Sequence, residues 1–462
     1  MVLEADKQVG GIARTVNYKG FLFDIGGHRF FTKWDEVNQI WKETLGDKFL
    51  ERPRLSRIYY NKKFFLYPLA AKNALFGLGL GESCRILCSY IKARLAPTTK
   101  EENFEEWVCN RFGRRLYEIF FKTYTEKVWG VPCTTIRAEW AAQRIRGLSL
   151  LTAIRNAILP GKNGNVKTLI DKFHYPERGP GQMWETMAVQ LNDKGYRVLL
   201  ERRVVRICHE QGRVTKVITK SPADSEEFQG TDFISSMPIR ELISALDPPP
   251  PKEVRDAADK LRYRDFLIVS LIVNRKEVTP DNWIYVHEPG VKVGRIQNFK
   301  NWSAAMVPDP AKSCLGMEYF VFEEDELWAS PDHQLIDMAR REIVDLGLVR
   351  ADEIEDGTVV RIQKAYPMYD EDWTARVDTI RRYLSQYLPN LQLVGRNGMH
   401  KYNNQDHSMI TAVYAARNIC GADYDLWAVN TEPDYHEESK QQEATISHEP
   451  PYAEPTNVYA QR

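Results

Sequence analysis

The chain has little cysteine, and its few cysteines follow no pattern. Seven occur among 462 residues, an odd number, and none are spaced as C-x-x-C. This usage excludes a disulfide framework and favours a reducing compartment, so we predict a cytoplasmic protein. Cys84 and Cys88 lie four residues apart on one face of a predicted helix, where we expect packing rather than metal binding. We predict no metal site.

An excess of charge and a long apolar run are also lacking. Lys plus Arg and Asp plus Glu both number 63, so the formal net charge is zero, which excludes a whole-protein attraction to nucleic acid or anionic lipid. No apolar run is long enough to span a membrane. The run at 266–273 predicts a buried strand. Lys72 and Asn73 interrupt the run at 66–80, which predicts a core helix, with a shallow membrane-touching patch as the alternative.

Short strand-like segments alternate with long helical ones, which predicts an α/β fold. An aromatic stripe at helical spacing, from Phe104 to Phe112, predicts a core-facing helix. Four consecutive prolines at 248–251 predict a stiff linker. We predict a hairpin at 56–67, helices at 34–45, 184–192, 239–246, 331–346, 380–388 and 408–418, and further strands at 196–200, 204–208, 233–238 and 358–366.

The first residues are typical of a dinucleotide-binding unit that has already begun. Val2, Leu3 and Glu4 resemble a strand closed by an acidic residue, and Gly10 and Gly11 follow. In such units this carboxylate holds a ribose, and the G-x-G-x-x-G turn lies about 20 residues before it. Only three residues precede Glu4 here. We therefore expect a truncated chain or a misassigned start, without the turn that holds the pyrophosphate.

Four segments carry a resemblance to a known family. The opening is similar to that of the flavin amine oxidase and protoporphyrinogen oxidase superfamily, without its first βα unit. Within it, residues 120–130 (FFKTYTEKVWG) resemble the F-F-K-x-Y-T-x-K-x-W-G segment of UDP-galactopyranose mutases. Weaker matches are residues 26–32 to G-P-H-x-F-H-T, 294–300 to T-R-I-x-E-x-K, and 395–402 to G-R-x-x-x-Y-R-Y. Together the matches span most of residues 1–425.

The resemblance implies an α/β fold with a discontinuous, Rossmann-like FAD-binding domain of the GR2 type. We predict that this domain comprises residues 1–50, 180–246 and 375–430. A mainly helical insertion at 51–179 and a mixed or antiparallel substrate-binding sheet at 252–374 separate its parts. Residues 431–462 are polar and lack hydrophobic periodicity, which predicts a disordered tail.

The resemblance also implies a reduced FAD, with NAD(P)H as a possible external reductant, and a rearranged sugar ring without net redox change. His28 and Arg295 are the implied catalytic residues. Tyr124 would bind uridine, Trp129 would lie near the sugar, and Arg295 and Tyr402 would hold the diphosphate. The implied cofactor-binding residues are Glu4, Gly10, Gly11, Arg14, Gly26, Gly27, Val205, Gly395, Arg396, Asn404, Asp406, Ser408 and Met409.

Departures from the mutase pattern leave alternatives open. Gly27, Phe31 and Asn404 replace a proline, a histidine and an aspartate of the family. The mutases have an arginine after the W-G pair that this sequence lacks. Arg144 or Arg146 would take its place. These departures favour a relative with another substrate over a strict mutase, and we expect a different nucleotide-linked sugar or a polyprenyl-linked one, in surface polysaccharide synthesis. The alternatives are an FAD-dependent oxidoreductase of the amine oxidase or protoporphyrinogen oxidase type and a truncated, inactive fragment. The sequence does not indicate the oligomeric state.

Overall fold

The computed structural model describes residues 1–67, 69, 71–138 and 172–431. The residues at 144 and 146 and the tail from residue 432 onward lie outside this part of the chain. Helices and a large mixed sheet form an α/β fold, which confirms the predicted fold class. The domain bounds stay a prediction. Within the described part, no helix combines the length and apolarity needed to cross a bilayer.

Most strands are short, and the three longest lie side by side at one edge of the large sheet. In chain order they are β1 (Val2–Leu3), β2 (Thr15–Tyr18), β3 (Phe21–Asp24), β4 (Phe49–Pro53), β5 (Ser56–Tyr60), β6 (Lys63–Leu66), β7 (Lys172–Pro176), β8 (Val198–Leu199), β9 (Arg203–Glu210), β10 (Arg213–Lys220), β11 (Ser225–Gln229), β12 (Phe233–Ser235), β13 (Leu246–Asp247), β14 (Tyr263–Val273), β15 (Trp283–Val286), β16 (Arg295–Asn298), β17 (Ser313–Val321), β18 (Ile354–Pro367) and β19 (Leu391–Leu393).

The helices cover the sheets and build the described part of the region between β6 and β7. In chain order they are α1 (Asp35–Leu45), α2 (Ala71–Leu78), α3 (Leu80–Leu95), α4 (Phe104–Phe112), α5 (Arg114–Tyr117), α6 (Thr123–Trp129), α7 (Gly181–Asp193), α8 (Ile239–Ala245), α9 (Lys252–Asp259), α10 (Phe299–Trp302), α11 (Glu326–Ala329), α12 (Asp332–Asp345), α13 (Trp373–Tyr387), α14 (Gly395–Gly398) and α15 (Gln405–Ile419). A π-helical turn, Glu118–Lys122, joins α5 to α6.

The large sheet has seven strands in the order β18-β14-β17-β16-β15-β5-β6, antiparallel except for the parallel pair β15 and β5. Every residue of β14 and β17 is buried, which confirms the buried strand predicted at 266–273. Successive side chains of β14 enter different cores because strand residues alternate between faces. Leu267 and Val269 pack with α12, whereas Phe266 and Ile268 pack with β3 and α10.

Three distant parts of the sequence share one further core. β1 pairs in parallel with β8, and β12 pairs in parallel with β19. Leu3, Leu199, Leu242, Leu391 and Ala415 all belong to this core or pack against it. The helices predicted at 184–192, 239–246 and 408–418 are confirmed as α7, α8 and α15. Strands β10 and β11 were not predicted, because charged residues interrupt their apolar alternation.

The helical region packs around the predicted aromatic stripe. Phe104, Trp107 and Phe112 are buried together, so the core assignment is confirmed. A capping box between Asn103 and Glu106 fixes the start of α4. The expectation that Cys84 and Cys88 are packed is wrong, because α3 turns its other face to the core and leaves both thiols exposed.

Candidate active site

One face of the large sheet forms the floor of the site. Residues opposite each other on neighbouring strands share a face, and two such rows cross β15, β16 and β17. The first row is Tyr285, Arg295 and Glu318. The second is Trp283, Gln297 and Gly316. The register of three strands therefore brings two aromatic rings, one cation and one carboxylate onto a single surface.

Arg295 and the fully buried Glu318 form an ion pair on this floor. Arg295 Nε donates to Glu318 Oε2 in a short contact, and Gln297 Nε2 donates to the other carboxylate oxygen at 2.8 Å. Arg295 Nη2 also donates to the Tyr366 hydroxyl at 3.2 Å. Burial opposes the charge of Arg295, but Glu318 and the neighbouring tyrosines outweigh it and hold its pKa well above the ordinary value. The guanidinium is a fixed positive charge.

A glycine bend lies over the floor. Gly26 has φ +97°, a backbone conformation that favours glycine, and a Cβ on Gly27 would lie 3.0 Å from Gln297 Nε2. The bend leads to His28, whose Nδ1 is buried without a partner in hydrogen-bonding geometry among the described residues. Burial, and then the charge of Arg396, lowers the pKa of His28 to about 3. The imidazole is therefore neutral at physiological pH.

Helix α6 forms one side of the site. The Tyr124 ring stacks on His287 with centroids 5.0 Å apart and meets Tyr285 edge-on at 5.4 Å. Burial, opposed by the nearby Arg295, holds the pKa of Tyr124 well above the ordinary value, so its hydroxyl stays protonated. Trp129 is the last residue of α6 and is half-buried. Tyr124 thus lies beside Arg295, and its role in substrate binding stays a prediction.

Two other residues of the same motif hold α6 in place. Lys127 Nζ donates to the carbonyls of Val286, Glu288 and Val293 at 2.7 to 3.2 Å, which joins the helix to β15 and the turn that follows it. Gly130 ends the helix at φ +67°, and a Cβ there would overlap the guanidinium of Arg264. The sequence match therefore combines residues that position the helix with residues that face the site.

Two stacked tyrosines form the opposite side. The rings of Tyr366 and Tyr402 are 5.7 Å apart and nearly parallel, and the Arg396 guanidinium lies 4.7 Å from the Tyr402 ring centroid. Arg396 also donates to the carbonyls of Asn403 and Ala365 at 2.9 and 3.0 Å. The structure thus connects Arg295 to Tyr402 through Tyr366. Sequence reasoning missed Tyr366, although it lies near the end of a predicted strand.

Further cations border the aromatic part of the floor. The guanidinium carbons of Arg29 and Arg54 lie 5.0 and 5.5 Å from the Trp283 ring centroid. Tyr67 packs on Tyr285 with centroids 4.6 Å apart. Sequence reasoning missed Arg29 and Arg54, although Arg29 follows the predicted His28 directly. Together with Arg295 and Arg396, they make the site strongly basic, which suits an anionic ligand.

The first group of predicted cofactor residues gathers at the end of β1. Asp6 N donates to Glu4 Oε1 at 2.9 Å, and Asp6 forms an ion pair with Arg14 at 3.1 Å. Gly10 and Gly11 have φ of +104° and +55° in the turn between Asp6 and Arg14. A shallow cleft of about 350 Å³ runs from Asp6 to β9 and β10.

Val205 lies on β9, beside this cleft. The register pairs Val204 with Thr219 and Arg206 with Ile218, so Val205 between them has no partner residue on β10. Glu4, the predicted ribose contact, and Val205, a predicted cofactor-binding residue, thus lie one and two residues from residues that line the same cleft.

The second group gathers between β19 and α15. Gly395 N donates to Thr411 Oγ1 at 3.1 Å, and Asn404 caps α15, whose first turn contains Asp406 and Ser408. Partial positive charge at a helix N-terminus favours an electron-rich ligand. The Met409 side chain instead lies in a core and accepts a hydrogen bond from Trp41 Nε1, so only its backbone is available to a cofactor.

These features fit a long, anionic dinucleotide. At the end of β1, the chain offers the carboxylate of Glu4 and the unpaired strand position Val205. At the other group, it offers the N-terminus of α15, the glycine bend and the buried Nδ1 of His28. The sequence profile of the flavin containing amine oxidoreductases matches residues 1–395. The chain belongs to this family. Membership of the family implies a flavin cofactor and a flavoenzyme.

Solved structures with this fold come from enzymes of several activities. A reduced UDP-galactopyranose mutase is 20% identical with a TM-score of 0.79, and the match covers 93% of this chain and 92% of the mutase. A protein described as a putative protoporphyrinogen oxidase from Exiguobacterium is 16% identical with a TM-score of 0.64, over 90% and 92% of the two chains. A putrescine oxidase is 14% identical with a TM-score of 0.58, over 91% and 93%. Identities this low show the fold alone.

Proposed function

We propose that this chain is an FAD-dependent, mutase-like enzyme that rearranges the sugar of a nucleotide-diphosphate-linked substrate in surface polysaccharide synthesis. The observation that carries the proposal is the row of Tyr285, Arg295 and Glu318, flanked by Tyr124 on one side and by Tyr366 and Tyr402 on the other. Flat rings beside fixed cations suit a base joined to a diphosphate.

The predicted cofactor residues would hold FAD at two ends. Glu4, Gly10, Gly11, Arg14 and Val205 would contact its adenosine part. Gly26, Gly27, Gly395, Arg396, Asn404, Asp406 and Ser408, with the backbone of Met409, would contact its flavin part. The chemistry that reduced FAD supplies when bound is that of a nucleophile toward the anomeric carbon of a sugar.

The protein residues then bind and orient the substrate. Tyr124 would stack on the uracil through the ring face turned away from His287. Arg295 keeps its charge, and the buried Glu318 holds one edge of the guanidinium, so the remaining N–H groups would donate to the diphosphate. The Tyr402 hydroxyl would donate to the same group, and Trp129 would exclude water beside the sugar. His28 is neutral and would donate or accept a hydrogen bond without carrying charge.

A second candidate is substrate oxidation of the amine oxidase type. The observation that favours it is Asn404, which stands where the mutase pattern has an aspartate. An oxidase of this type would use bound FAD to oxidise a carbon beside nitrogen, with oxygen as the final acceptor of the two electrons. Such an oxidase would bind no diphosphate, so it would need neither the arginines of the site nor the tyrosines on its two sides.

The test uses the full chain loaded with FAD, reduced with dithionite and kept without oxygen. We expect UDP to protect the protein from thermal unfolding, and UDP-galactopyranose to yield a furanose product that chromatography resolves. The Arg295→Lys variant should retain flavin but lose UDP protection, because lysine cannot donate a two-pronged contact. Oxygen consumption with amines, without UDP protection, would instead establish the second candidate.

A parallel experiment identifies the physiological reductant. In it, NADPH or NADH replaces dithionite in otherwise identical samples.

The compartment belongs to the same proposal. We place the reaction in the reducing cytoplasm, a choice that the seven free thiols support. A flavin that washes off a folded chain would contradict the active-enzyme proposal and favour the inactive-fragment alternative.

A further inference from the structure

Helix α3 exposes an apolar stripe that no described residue covers. Its core-facing side carries Ile86 and Tyr90, which pack with α4 and α5. On the opposite side, the exposed fractions are 85% for Leu80, 47% for Leu87, 48% for Ile91 and 82% for Leu95. Cys84 and Cys88, also exposed, complete the stripe.

The stripe is continuous along the helix. Successive helical residues are about 100° apart, so positions 80, 84, 87, 88, 91 and 95 occupy a sector about 100° wide. Leucine, isoleucine and cysteine fill every one of these positions. A surface helix normally turns such a sector toward the core, whereas α3 buries a different one.

Basic residues border the stripe on both sides. Arg94 lies along one border, and Arg85 and Lys92 lie along the other. Arg85 contacts Glu82 at 3.3 Å, but Lys92 and Arg94 form no ion pair within the described residues. Glu82, the one acidic residue of α3, also forms a short ion pair with Arg115. The exposed side of α3 is therefore apolar at its centre and positive at its edges.

We propose that α3 docks the protein onto the surface of an anionic lipid bilayer, lying in the interface without crossing it. Apolar residues at the centre of the stripe would enter the boundary between head groups and acyl chains. Long basic side chains at the borders reach the phosphate groups while their stems stay among the lipids. The net charge of the whole chain is zero, so it does not indicate the local excess of positive charge along the borders of the stripe.

The same charges disfavour a second copy of the chain as the occupant. Pairing two stripes would bring Arg85, Lys92 and Arg94 of both copies together, and the acidic partner on each helix is already engaged. Like charges along a helix seam oppose association. An anionic lipid surface complements both the apolar centre and the positive borders.

The first experiment is vesicle flotation of the full chain loaded with FAD. We expect binding to vesicles of phosphatidylglycerol and phosphatidylcholine in equal parts, much weaker binding to phosphatidylcholine alone, and release by salt. The double variant Leu87→Glu and Ile91→Glu should bind at least about tenfold less. The matched control is Val189→Glu on α7, where valine is 59% exposed, and it should bind like the parent chain.

A second experiment reports on α3 itself. An environment-sensitive dye on Cys84 should shift to the blue on addition of the anionic vesicles, whereas the same dye on the exposed Cys420 should not. Serine replaces Cys88, Cys109 and Cys208 in both samples. It also replaces Cys420 in the sample labelled on Cys84, and Cys84 in the sample labelled on Cys420.

Three outcomes would overturn the proposal: no flotation, equal flotation of the double variant and the parent, or a dimer by light scattering that the double variant dissociates without any lipid binding. None of these measurements uses turnover, so their result is independent of the proposed reaction.

Discussion

Arg295 and Glu318 face each other on the adjacent antiparallel strands β16 and β17, and their ion pair lies at the centre of the candidate active site. The Glu318 side chain is fully buried, so the pair has a low-dielectric side and a side that opens to the site. This arrangement fixes the direction of the guanidinium before any ligand arrives, which lowers the cost of ordering on binding.

Removing the carboxylate should affect both stability and binding. In Glu318→Gln, the partly buried guanidinium loses its counter-charge, so we expect a loss of about 3 kcal/mol in urea unfolding and about tenfold weaker binding of UDP. The control is Asp281→Asn, which breaks the two-pronged contact of Arg57 with Asp281 outside the floor of the site. It should lose similar stability while its UDP affinity stays at the parent value.

The aromatic ring of Tyr124 should matter more than its hydroxyl. We expect Tyr124→Phe to bind UDP within about threefold of the parent chain, and Tyr124→Ala to lose about 1–3 kcal/mol of binding free energy. Calorimetry with UDP and with inorganic diphosphate separates the two parts of the ligand. An alanine variant that weakens both ligands equally would contradict a role in stacking on the base.

The glycine that ends α6 should be required for packing. In Gly130→Ala, a methyl group would overlap the Arg264 guanidinium and displace the helix that carries Tyr124. The control is Gly46→Ala, where φ is also positive at +53° but a Cβ meets nothing within 4 Å. We expect Gly46→Ala to cost about 1 kcal/mol and Gly130→Ala about 2 kcal/mol more. Equal costs in urea unfolding would show that backbone strain alone is responsible.

A buried aspartate should give stability an unusual pH dependence. Burial raises the pKa of Asp24 to about 7, while hydrogen bonds from Tyr175 and Thr15 oppose the rise. The folded state therefore keeps a proton that the unfolded chain releases above about pH 4. This contribution is complete below about pH 4 and is lost as the pH rises to about 7.

The isosteric variant isolates that contribution. Asp24→Asn has no proton to lose, so the stability of the parent minus that of the variant should fall by up to about 4 kcal/mol between about pH 4 and pH 7. Urea unfolding at several pH values measures the difference. A constant difference would show that Asp24 does not carry the proton.

His28 should not titrate in the working range. Its pKa is lowered to about 3, first by burial and then by the charge of Arg396, so the ring stays neutral from about pH 5 upward. We expect His28→Gln to lower kcat while the pH profile of kcat/KM keeps the shape of the parent profile between about pH 5 and pH 8. A limb near about pH 6.5 in the parent that the variant lacks would contradict this assignment.

Local patterns in the sequence predicted the elements whose cause is local. The buried strand at 266–273, the helix at 34–45 and the aromatic stripe from Phe104 to Phe112 follow from apolar periodicity within a few residues. The resemblance added Tyr124, Arg295 and Tyr402, which the structure brings to one site. Cys84 and Cys88 were assigned wrongly, since periodicity identifies the apolar faces of a helix but not which face the neighbouring elements cover.

The sequence by itself determined the α/β class, most of the longer helices and the buried strand at 266–273, and it proposed several residues of the candidate site. Only the tertiary structure decided what those residues meet. Glu318 and Tyr366 lie far from Arg295 in the chain and reach it through the register and folding of a seven-stranded sheet. Arg264 reaches Gly130 across the same fold. Such contacts depend on the summed packing of many strands and helices, and no local pattern in the sequence carries that information.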